Sequence, residues 1–180
     1  MTVPVVTALR AQGPGRVAVD LDDRRWRTVP VEAVLTTGLV VGRELDRPSA
    51  RALGRALRRL EARSSALRAL RARDHTSASL ERRLTERGTP PAVRREVVES
   101  AERAGLVDDR RFACARAAQL AGRGAGDLLI ADDLERQGVP ADLAGAAIGE
   151  LEPESVRAAE IITSRGRSAR TARFLASKGF

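Results

Sequence analysis

The chain has very few of the residues from which metal centres, disulfides and aromatic binding platforms are built. Its 180 residues include one cysteine, one histidine, no tyrosine, three phenylalanines and one tryptophan. One cysteine excludes a disulfide framework within the chain or a cysteine-rich zinc cluster, and one histidine leaves too few ligands for other zinc sites. So few aromatic side chains argue against nucleic-acid modules that stack successive bases on aromatic platforms.

Catalytic motifs are also lacking. The only lysine, Lys178, has no glycine-rich phosphate-binding loop around it, and the sequence contains no His-Glu-x-x-His, Cys-x-x-Cys or Gly-x-Ser-x-Gly pattern. The carboxylate pairs Asp22-Asp23 and Asp132-Asp133 are more typical of a turn and a solvated helix face than of a catalytic pair. We therefore expect a protein that is not an enzyme and that has no cofactor and no bound metal.

Long hydrophobic runs are missing as well. The apolar stretch at residues 3–9 is interrupted by Pro4 and Thr7, and no window approaches the roughly 20 apolar residues of a membrane span. The first 15 residues lack the basic and apolar regions of a signal peptide. The sequence therefore predicts a cytoplasmic protein that does not associate with membranes.

Positive charge, by contrast, is abundant. The chain has 32 basic and 24 acidic residues, a net charge of +8, and 43% hydrophobic residues, which is enough for a globular fold. A GC-rich genome is sufficient to explain why arginine replaces lysine almost everywhere. It does not explain the excess of positive charge, which predicts an anionic partner.

The first sixty residues predict a small β-structure. At residues 16–21, the larger apolar residues Val17, Val19 and Leu21 occupy every second position, as in a strand. Turn-forming residues flank this run on both sides. We predict a β-hairpin or a three-stranded meander at residues 5–30, followed by a short helix over Val31–Thr37 that ends at Gly38.

From about residue 64 the sequence is helical, and it repeats. The repeated unit is a helix with an apolar pair four residues apart, then a glycine that ends this helix, then a proline-started helix. At shifts of 50 and 41 residues the aligned positions are Leu80, Leu84 and Gly88; Ile130, Leu134 and Gly138; and Leu175 and Gly179. A single copy is too small to bury a core alone, so neighbouring copies should pack together.

The predicted fold class is therefore mainly α, with tandem three-helix repeats after a small N-terminal β-hairpin region. We expect an N-terminal region at residues 1–61, repeats at 62–105 and 106–151, and a third, apparently incomplete repeat at 152–180. Their net charges are +4, +4, −3 and +3 in that order. Basic flanks around an acidic middle suit a protein that contacts both a nucleic acid and another protein.

Two sets of basic residues are the candidate contact residues. Any single arginine is more often merely solvated, but as sets they are typical of faces that contact phosphates without reading sequence. The first basic cluster comprises Arg82, Arg83, Arg87, Arg94 and Arg95. The second basic cluster comprises Arg165, Arg167, Arg170, Arg173 and Lys178.

Three further features favour structural roles. His75 precedes Thr76, a predicted helix cap, so we interpret it as a packing or capping residue. Cys114 is expected to be a small buried apolar group. The glycine-rich run at residues 122–126 follows no predicted strand, which argues against a dinucleotide site and favours a connector between helices.

Four segments, in this order, resemble the RecX family of recombinase regulators. They are Arg-Asp-His-Thr-Ser-Ala-Ser-Leu-Glu-Arg-Arg-Leu-Thr-Glu-Arg-Gly at 73–88, Gly-Leu-Val-Asp-Asp-Arg-Arg-Phe-Ala at 105–113, Asp-Asp-Leu-Glu-Arg-Gln-Gly-Val at 132–139 and Ala-Arg-Phe-Leu-Ala-Ser-Lys-Gly-Phe at 172–180. Each segment alone is weak evidence of a resemblance, but four segments in this order and at the family's spacing are strong evidence. The resemblance covers about residues 64–180.

The resemblance implies curved, tandem three-helix repeats and a protein that is not an enzyme. It also implies binding to the RecA recombinase, chiefly as its filament on single-stranded DNA, with double-stranded DNA as a further candidate. Such proteins lodge in the filament groove and suppress the ATPase, strand-exchange and co-protease activities of RecA in recombination and the SOS response. We expect a monomer.

The sequence departs from the family pattern at three places. Ser79 stands where the family often has glutamate, residues 122–127 have little basic character, and the chain stops before the third helix of the third repeat. Two alternatives stay open: a stand-alone helical repeat protein that binds nucleic acid without sequence preference, and a scaffold that binds only proteins.

Overall fold

The computed structural model describes residues 3–180, and in this part of the chain it contains three strands and nine helices. The elements are β1 Val6–Ala11, β2 Arg16–Leu21, β3 Arg24–Pro30, α1 Val31–Thr37, α2 Arg47–Ala72, α3 Ser77–Glu86, α4 Pro91–Arg103, α5 Asp109–Ala121, α6 Asp127–Gln137, α7 Ala141–Gly149, α8 Glu154–Arg165 and α9 Ala169–Ser177. The prediction of a mainly helical chain with a small N-terminal β-region is confirmed. The chain divides after Ser65 into two compact units.

The first unit contains an antiparallel sheet in the order β1-β2-β3, so the three-stranded alternative is the correct one. A two-residue turn joins β2 to β3, and both of its residues, Asp22 and Asp23, have positive φ angles of 47° and 62°, as tight hairpin turns require. Contacts with β1 and the residue before it hold this turn: the Asp22 carboxylate accepts from the Val5 N–H at 2.9 Å, and the Asp23 N–H donates to Thr7 Oγ1 at 2.9 Å.

One face of this sheet forms the core of the first unit. Val19 and Val29 are fully buried against residues of α1 and α2 that include Val34 and Leu53. The short helix α1 has the predicted bounds, and Gly38 ends it with a φ of 61°.

The second unit is entirely helical: α3 packs on α4, α5 packs on α6 and α7, and α8 packs on α9. The apolar pairs of the sequence repeat lie at the centre, since Leu80, Leu84, Ile130 and Leu134 are fully buried. The predicted cap Thr76 accepts a hydrogen bond from a backbone N–H group of α3, and the Asp108 side chain does the same for α5.

Helix α2 runs without interruption through residue 61, where the sequence predicts the first boundary. No proline or glycine follows Gly54 within it, and Ala62, Ala66 and Ala69 extend its buried side. Local helix propensity therefore carries the helix across the predicted border. The division of residues 62–180 into three repeats stays a prediction.

Two side chains lie in surroundings that differ from the expected ones. Cys114 is half-buried rather than enclosed, and its thiol donates to Glu150 Oε2 at 3.3 Å. This hydrogen bond, together with burial, raises the pKa of the thiol. Asp133 is not solvated: its side chain is 18% exposed and forms a two-pronged ion pair with Arg116, with N···O distances of 2.8 and 2.9 Å.

Within residues 3–180, no helix is both long enough and apolar enough to cross a bilayer. In the same part of the chain, no three carboxylate, imidazole or thiol groups come together in a way that could hold a metal ion.

His75 is buried at the start of α3, with Nδ1 3.0 Å from Ser79 Oγ. Burial lowers the pKa of this imidazole below its ordinary value of 6.5, and the charges of Arg73 and Arg83 lower it further, against the opposite effect of Asp74. The folded protein therefore holds His75 neutral at a pH where the unfolded chain already takes up a proton.

The free energy of unfolding should consequently fall as the pH drops below about 6.5, by at most about 1.4 kcal/mol for each pH unit. Because His75 is the only histidine, His75→Gln should flatten this dependence between pH 7.5 and 5.5. Urea denaturation at several pH values measures both slopes. Equal slopes in the two proteins would show that His75 is not the group that titrates.

Candidate nucleic-acid and protein interface

The first basic cluster lies mostly on the solvent side of α3 and α4. Because Leu80 and Leu84 face the core, the helical period turns Arg82 to the opposite side of α3, with Arg83 beside it. Arg87 follows the last residue of α3, and all three arginines are exposed. Arg95 of α4 is exposed too.

Arg94 is the exception in this cluster. Its Nη1 donates to the Thr89 carbonyl at 2.8 Å, its Nε lies 3.7 Å from a carboxylate oxygen of Glu81, and its side chain is only 18% exposed. Local contacts thus occupy this guanidinium, and it supports the α3–α4 connection. The sequence does not distinguish it from its neighbour Arg95.

The second basic cluster surrounds the start of α9. Arg167, Arg170 and Arg173 are exposed. The Arg165 guanidinium lies 3.8 Å from the centre of the Phe174 ring, and this cation–π contact ties the end of α8 to α9. Lys178 is half-buried, with Nζ 5.8 Å from the same ring.

The exposed arginines of these clusters have no carboxylate partner among the described residues, whereas three arginines in the middle of the unit do. Among the described residues, none of the exposed ones forms an ion pair: Arg82, Arg83, Arg87, Arg95, Arg165, Arg167, Arg170 and Arg173. In α5–α7, acidic side chains pair with arginines: Asp133 with Arg116, Asp132 with Arg136 and Glu150 with Arg110. Arg116 also lowers the pKa of Asp133.

The C-terminal end of α6 meets the N-terminal end of α3. Thr76 Oγ1 donates to the carbonyl of Gln137 at 2.6 Å. The next residue, Gly138, has a φ of 80°, and a Cβ atom there would lie 2.6 Å from the Ala78 Cβ. A side chain would therefore prevent this contact.

The N-terminal end of α6 meets the C-terminal end of α9 in the same way. The Gly126 N–H donates to the Lys178 carbonyl at 2.7 Å, and the Leu128 N–H donates to the Gly179 carbonyl at 3.2 Å. A Cβ atom on Gly126 would overlap the backbone of Gly179 and Phe180. The role of Lys178 shown by the structure is thus to supply a backbone acceptor.

A carboxylate completes each of these two joints. Asp109, the first residue of α5, accepts from the Ser77 N–H at 2.8 Å at the start of α3. Glu154, the first residue of α8, accepts from the Asp127 N–H at 2.7 Å at the start of α6. An anionic group is favourable at a helix N-terminus. Each joint thus brings the backbone carbonyls at the C-terminal end of one helix, together with a carboxylate, to the N-terminal end of another helix. The aligned Gly138 and Gly179 are the sequence signal of these joints.

A buried arginine reinforces the joint between α6 and α9. Arg157 donates to the carbonyls of Ala125 at 2.7 Å and Glu152 at 3.0 Å, and it pairs with the Asp127 carboxylate. Its guanidinium lies 5.7 Å from the centre of the Phe180 ring.

These joints hold the two basic clusters apart. Arg82, Arg83 and Arg87 lie towards the end of α3 that is away from α6, whereas Arg167 and Arg170 lie at the end of α9 that is away from α6. Helix α6, about 16 Å long, lies between them. The arrangement fixes the two charged surfaces relative to each other through contacts between helix ends.

A groove of about 580 Å³ opens beside the joint of α3 and α6. Leu106, Phe112 and Ala115 give it apolar walls, and Leu106 is 47% exposed. Charged residues surround it: Arg73, Asp74, Asp108, Arg111 and Arg116. An apolar floor with a mixed charged rim is typical of a surface that takes a protein segment.

The sequence comparisons identify one family. The domain described as "RecX, first three-helix domain" matches residues 62–100. The regulatory protein RecX of Mycolicibacterium smegmatis is 33% identical over 114 residues, which cover 61% of this chain and 60% of that protein. The regulatory protein RecX of Halorhodospira halophila is 30% identical over 128 residues, which cover 66% of this chain and 80% of that protein. The chain thus spans three fifths of one relative's length and four fifths of the other's.

Solved structures share the fold. A crystal structure of regulatory protein RecX superimposes with a TM-score of 0.78 over 99% of this chain and 95% of that chain, at 21% identity. The crystal structure of RecX from Lactobacillus salivarius gives a TM-score of 0.61 over 68% of this chain and 88% of that chain, at 18% identity.

Proposed function

Because this chain belongs to the RecX family of regulatory proteins, we propose that it binds the RecA recombinase, chiefly as its filament on single-stranded DNA. Binding suppresses the ATPase, strand-exchange and co-protease activities of RecA, and the protein acts in the cytoplasm, as a monomer and without catalysis of its own. The observation that supports this proposal most directly is that exposed arginines without carboxylate partners lie on either side of an acidic middle.

The two clusters contact the phosphates of the DNA. Arginine binds phosphate oxygens with a forked geometry, and the exposed arginines of α3 and α9 are free of competing carboxylates among the described residues. Contacts of this kind position a protein on DNA without reading its sequence. A regulator of a filament that forms on any sequence needs this property.

The middle of the second unit contacts RecA itself. Residues 106–151 carry a net charge of −3, which disfavours DNA, and the groove next to Leu106 and Phe112 offers apolar area for a protein segment. Because most of the driving force at such a surface is apolar burial, this contact depends less on salt than the DNA contact does.

A pull-down experiment at high salt separates this proposal from the alternatives. Immobilised protein should retain RecA at a salt concentration that removes single-stranded DNA, and more RecA should be retained when DNA is present at lower salt. Retention of DNA without any retention of RecA would contradict the proposal and favour a stand-alone nucleic-acid-binding protein. Retention of RecA with no DNA binding, even at low salt, would favour a scaffold that binds only proteins.

A further inference from the structure

An exposed run of four residues lies on β3, in the first unit. Arg24, Arg25, Trp26 and Arg27 are all exposed. Because the order of the described sheet is β1-β2-β3, this strand is at an edge. Trp26 is the only tryptophan of the chain and is 41% exposed. The basic clusters of the second unit do not include this run.

One arginine lies over the exposed indole, and a second is held beside it on the strand. The Arg27 guanidinium lies 5.3 Å from the centre of the Trp26 ring. The Arg25 guanidinium donates to Gln12 Oε1, which also accepts from Thr28 Oγ1 at 2.9 Å. Arg25 is therefore held in place by neighbouring residues.

Two nearby carboxylates have other partners. Asp20 pairs with Arg10 at 3.1 Å, and Asp22 accepts from the Val5 N–H. Among the described residues, no carboxylate forms an ion pair with Arg24 or Arg27. The run therefore combines one large π-surface with two unneutralised cations.

We propose that Trp26, with Arg24 and Arg27, is a site where one unpaired base of single-stranded nucleic acid stacks on the indole ring. The arginines bind the phosphates on either side of that base. This proposal deepens the DNA contact of the proposed function and rests on it. Stacking on an exposed aromatic ring beside cations is the usual way in which single strands are bound without sequence preference.

The surroundings favour a nucleic acid over a protein at this site. An aromatic anchor of a protein interface normally sits in an apolar patch with a polar rim, but the neighbours of Trp26 along β3 are arginines. A double helix also fits poorly, because its bases are already stacked on each other. The paucity of aromatic residues therefore excludes an extended platform but leaves room for a single stacking position.

The fluorescence of Trp26 gives a direct test, because the chain has no other tryptophan and no tyrosine. The protein is titrated, without RecA, with an oligothymidylate and with an abasic oligomer of equal length and charge. Oligothymidylate should quench the Trp26 emission, and the abasic oligomer should quench it little. Fluorescence anisotropy of labelled oligomers should show binding of the abasic oligomer that is about tenfold weaker.

Trp26→Ala should lower the affinity for oligothymidylate about tenfold and leave the affinity for the abasic oligomer unchanged. Trp26→Phe should retain part of the preference. Leu35→Ala is the matched control, because Leu35 is a 74% exposed side chain of the same unit. Its binding should equal that of the wild type.

Equal affinities of the wild type for the two oligomers would overturn the stacking site. An emission change with RecA alone and none with DNA would also overturn it and would assign Trp26 to a protein contact. RecA ATPase inhibition is measured on the same preparations. Inhibition by a wild type that shows no preference for bases would reject the stacking site and leave the proposed function intact. Absence of both inhibition and DNA binding would reject both.

Discussion

Replacing Gly126 by alanine is expected to detach α9 from α6 and to lower the free energy of unfolding of the second unit by about 2–4 kcal/mol. The added methyl group would overlap the backbone of Gly179 and Phe180, which no side-chain rotation can relieve. Separation breaks the hydrogen bonds from Gly126 to Lys178 and from Leu128 to Gly179. Guanidinium denaturation, together with hydrogen exchange of the α9 amides, measures the effect.

Gly145→Ala is the matched control for this change. Gly145 lies inside α7, where an added Cβ atom meets no atom within 4 Å. Alanine is favoured over glycine in a helix by up to about 1 kcal/mol, so this variant should be as stable as the wild type or more stable. If the amides of α9 exchanged as slowly in Gly126→Ala as in Gly145→Ala, the contact between the ends of α6 and α9 would not be what holds α9 in place.

Neutralising the exposed arginines within and just before α9 should weaken binding to single-stranded DNA strongly. In the triple variant Arg167→Gln, Arg170→Gln and Arg173→Gln, three phosphate contacts are lost. Each contact contributes about 0.7 to the slope of log affinity against log salt. The slope should therefore decrease by about 2, and the affinity should fall by up to about a hundredfold at 0.1 M salt. Fluorescence anisotropy between 0.05 and 0.5 M salt, values chosen to span roughly one decade, measures both.

A second triple variant separates local contacts from net charge. Arg103, Arg110 and Arg136 are also exposed helix residues, but each pairs with a carboxylate. Their replacement by glutamine removes the same total charge, and surface pairs contribute only about 0–1 kcal/mol to stability. Its salt slope should stay close to that of the wild type. Equal losses in the two triple variants would mean that net charge, and not the second basic cluster, governs DNA binding.

Much of the local structure could be predicted from the sequence because its signals lie within a few residues of the feature. Gly38 ends α1 through its positive φ angle, and Thr76 and Asp108 begin helices through side-chain oxygens that accept from nearby N–H groups. The aligned apolar pairs also lie in the core as expected. In each case one short segment contains both the cause and the effect.

Features that depend on distant partners could not be predicted in this way. In the sequence, Gly126 belongs to a connector between helices. In the structure, the absence of a side chain at Gly126 leaves room for the backbone of Gly179, more than fifty residues away. Asp133 looks solvated until α5 places Arg116 beside it. The same limit applies to Arg94, whose exposure depends on how α3 and α4 pack.

Trp26 shows a further limit of composition. The aromatic content of 2% argues against a platform of many stacked bases, but it does not reveal that the single indole lies on an exposed edge strand among arginines. Only the position of β3 in the sheet turns this residue into a candidate contact.

The most direct test of the proposed regulatory role is the ATPase activity of RecA on single-stranded DNA, measured with increasing amounts of this protein. We predict progressive inhibition that is complete at or below about one molecule per RecA subunit. The variant with Arg167, Arg170 and Arg173 replaced should need higher concentrations for the same inhibition, and the variant with Arg103, Arg110 and Arg136 replaced should inhibit like the wild type. An ATPase rate that stays constant up to equimolar protein, on a filament to which this protein demonstrably has access, would contradict the role in RecA regulation.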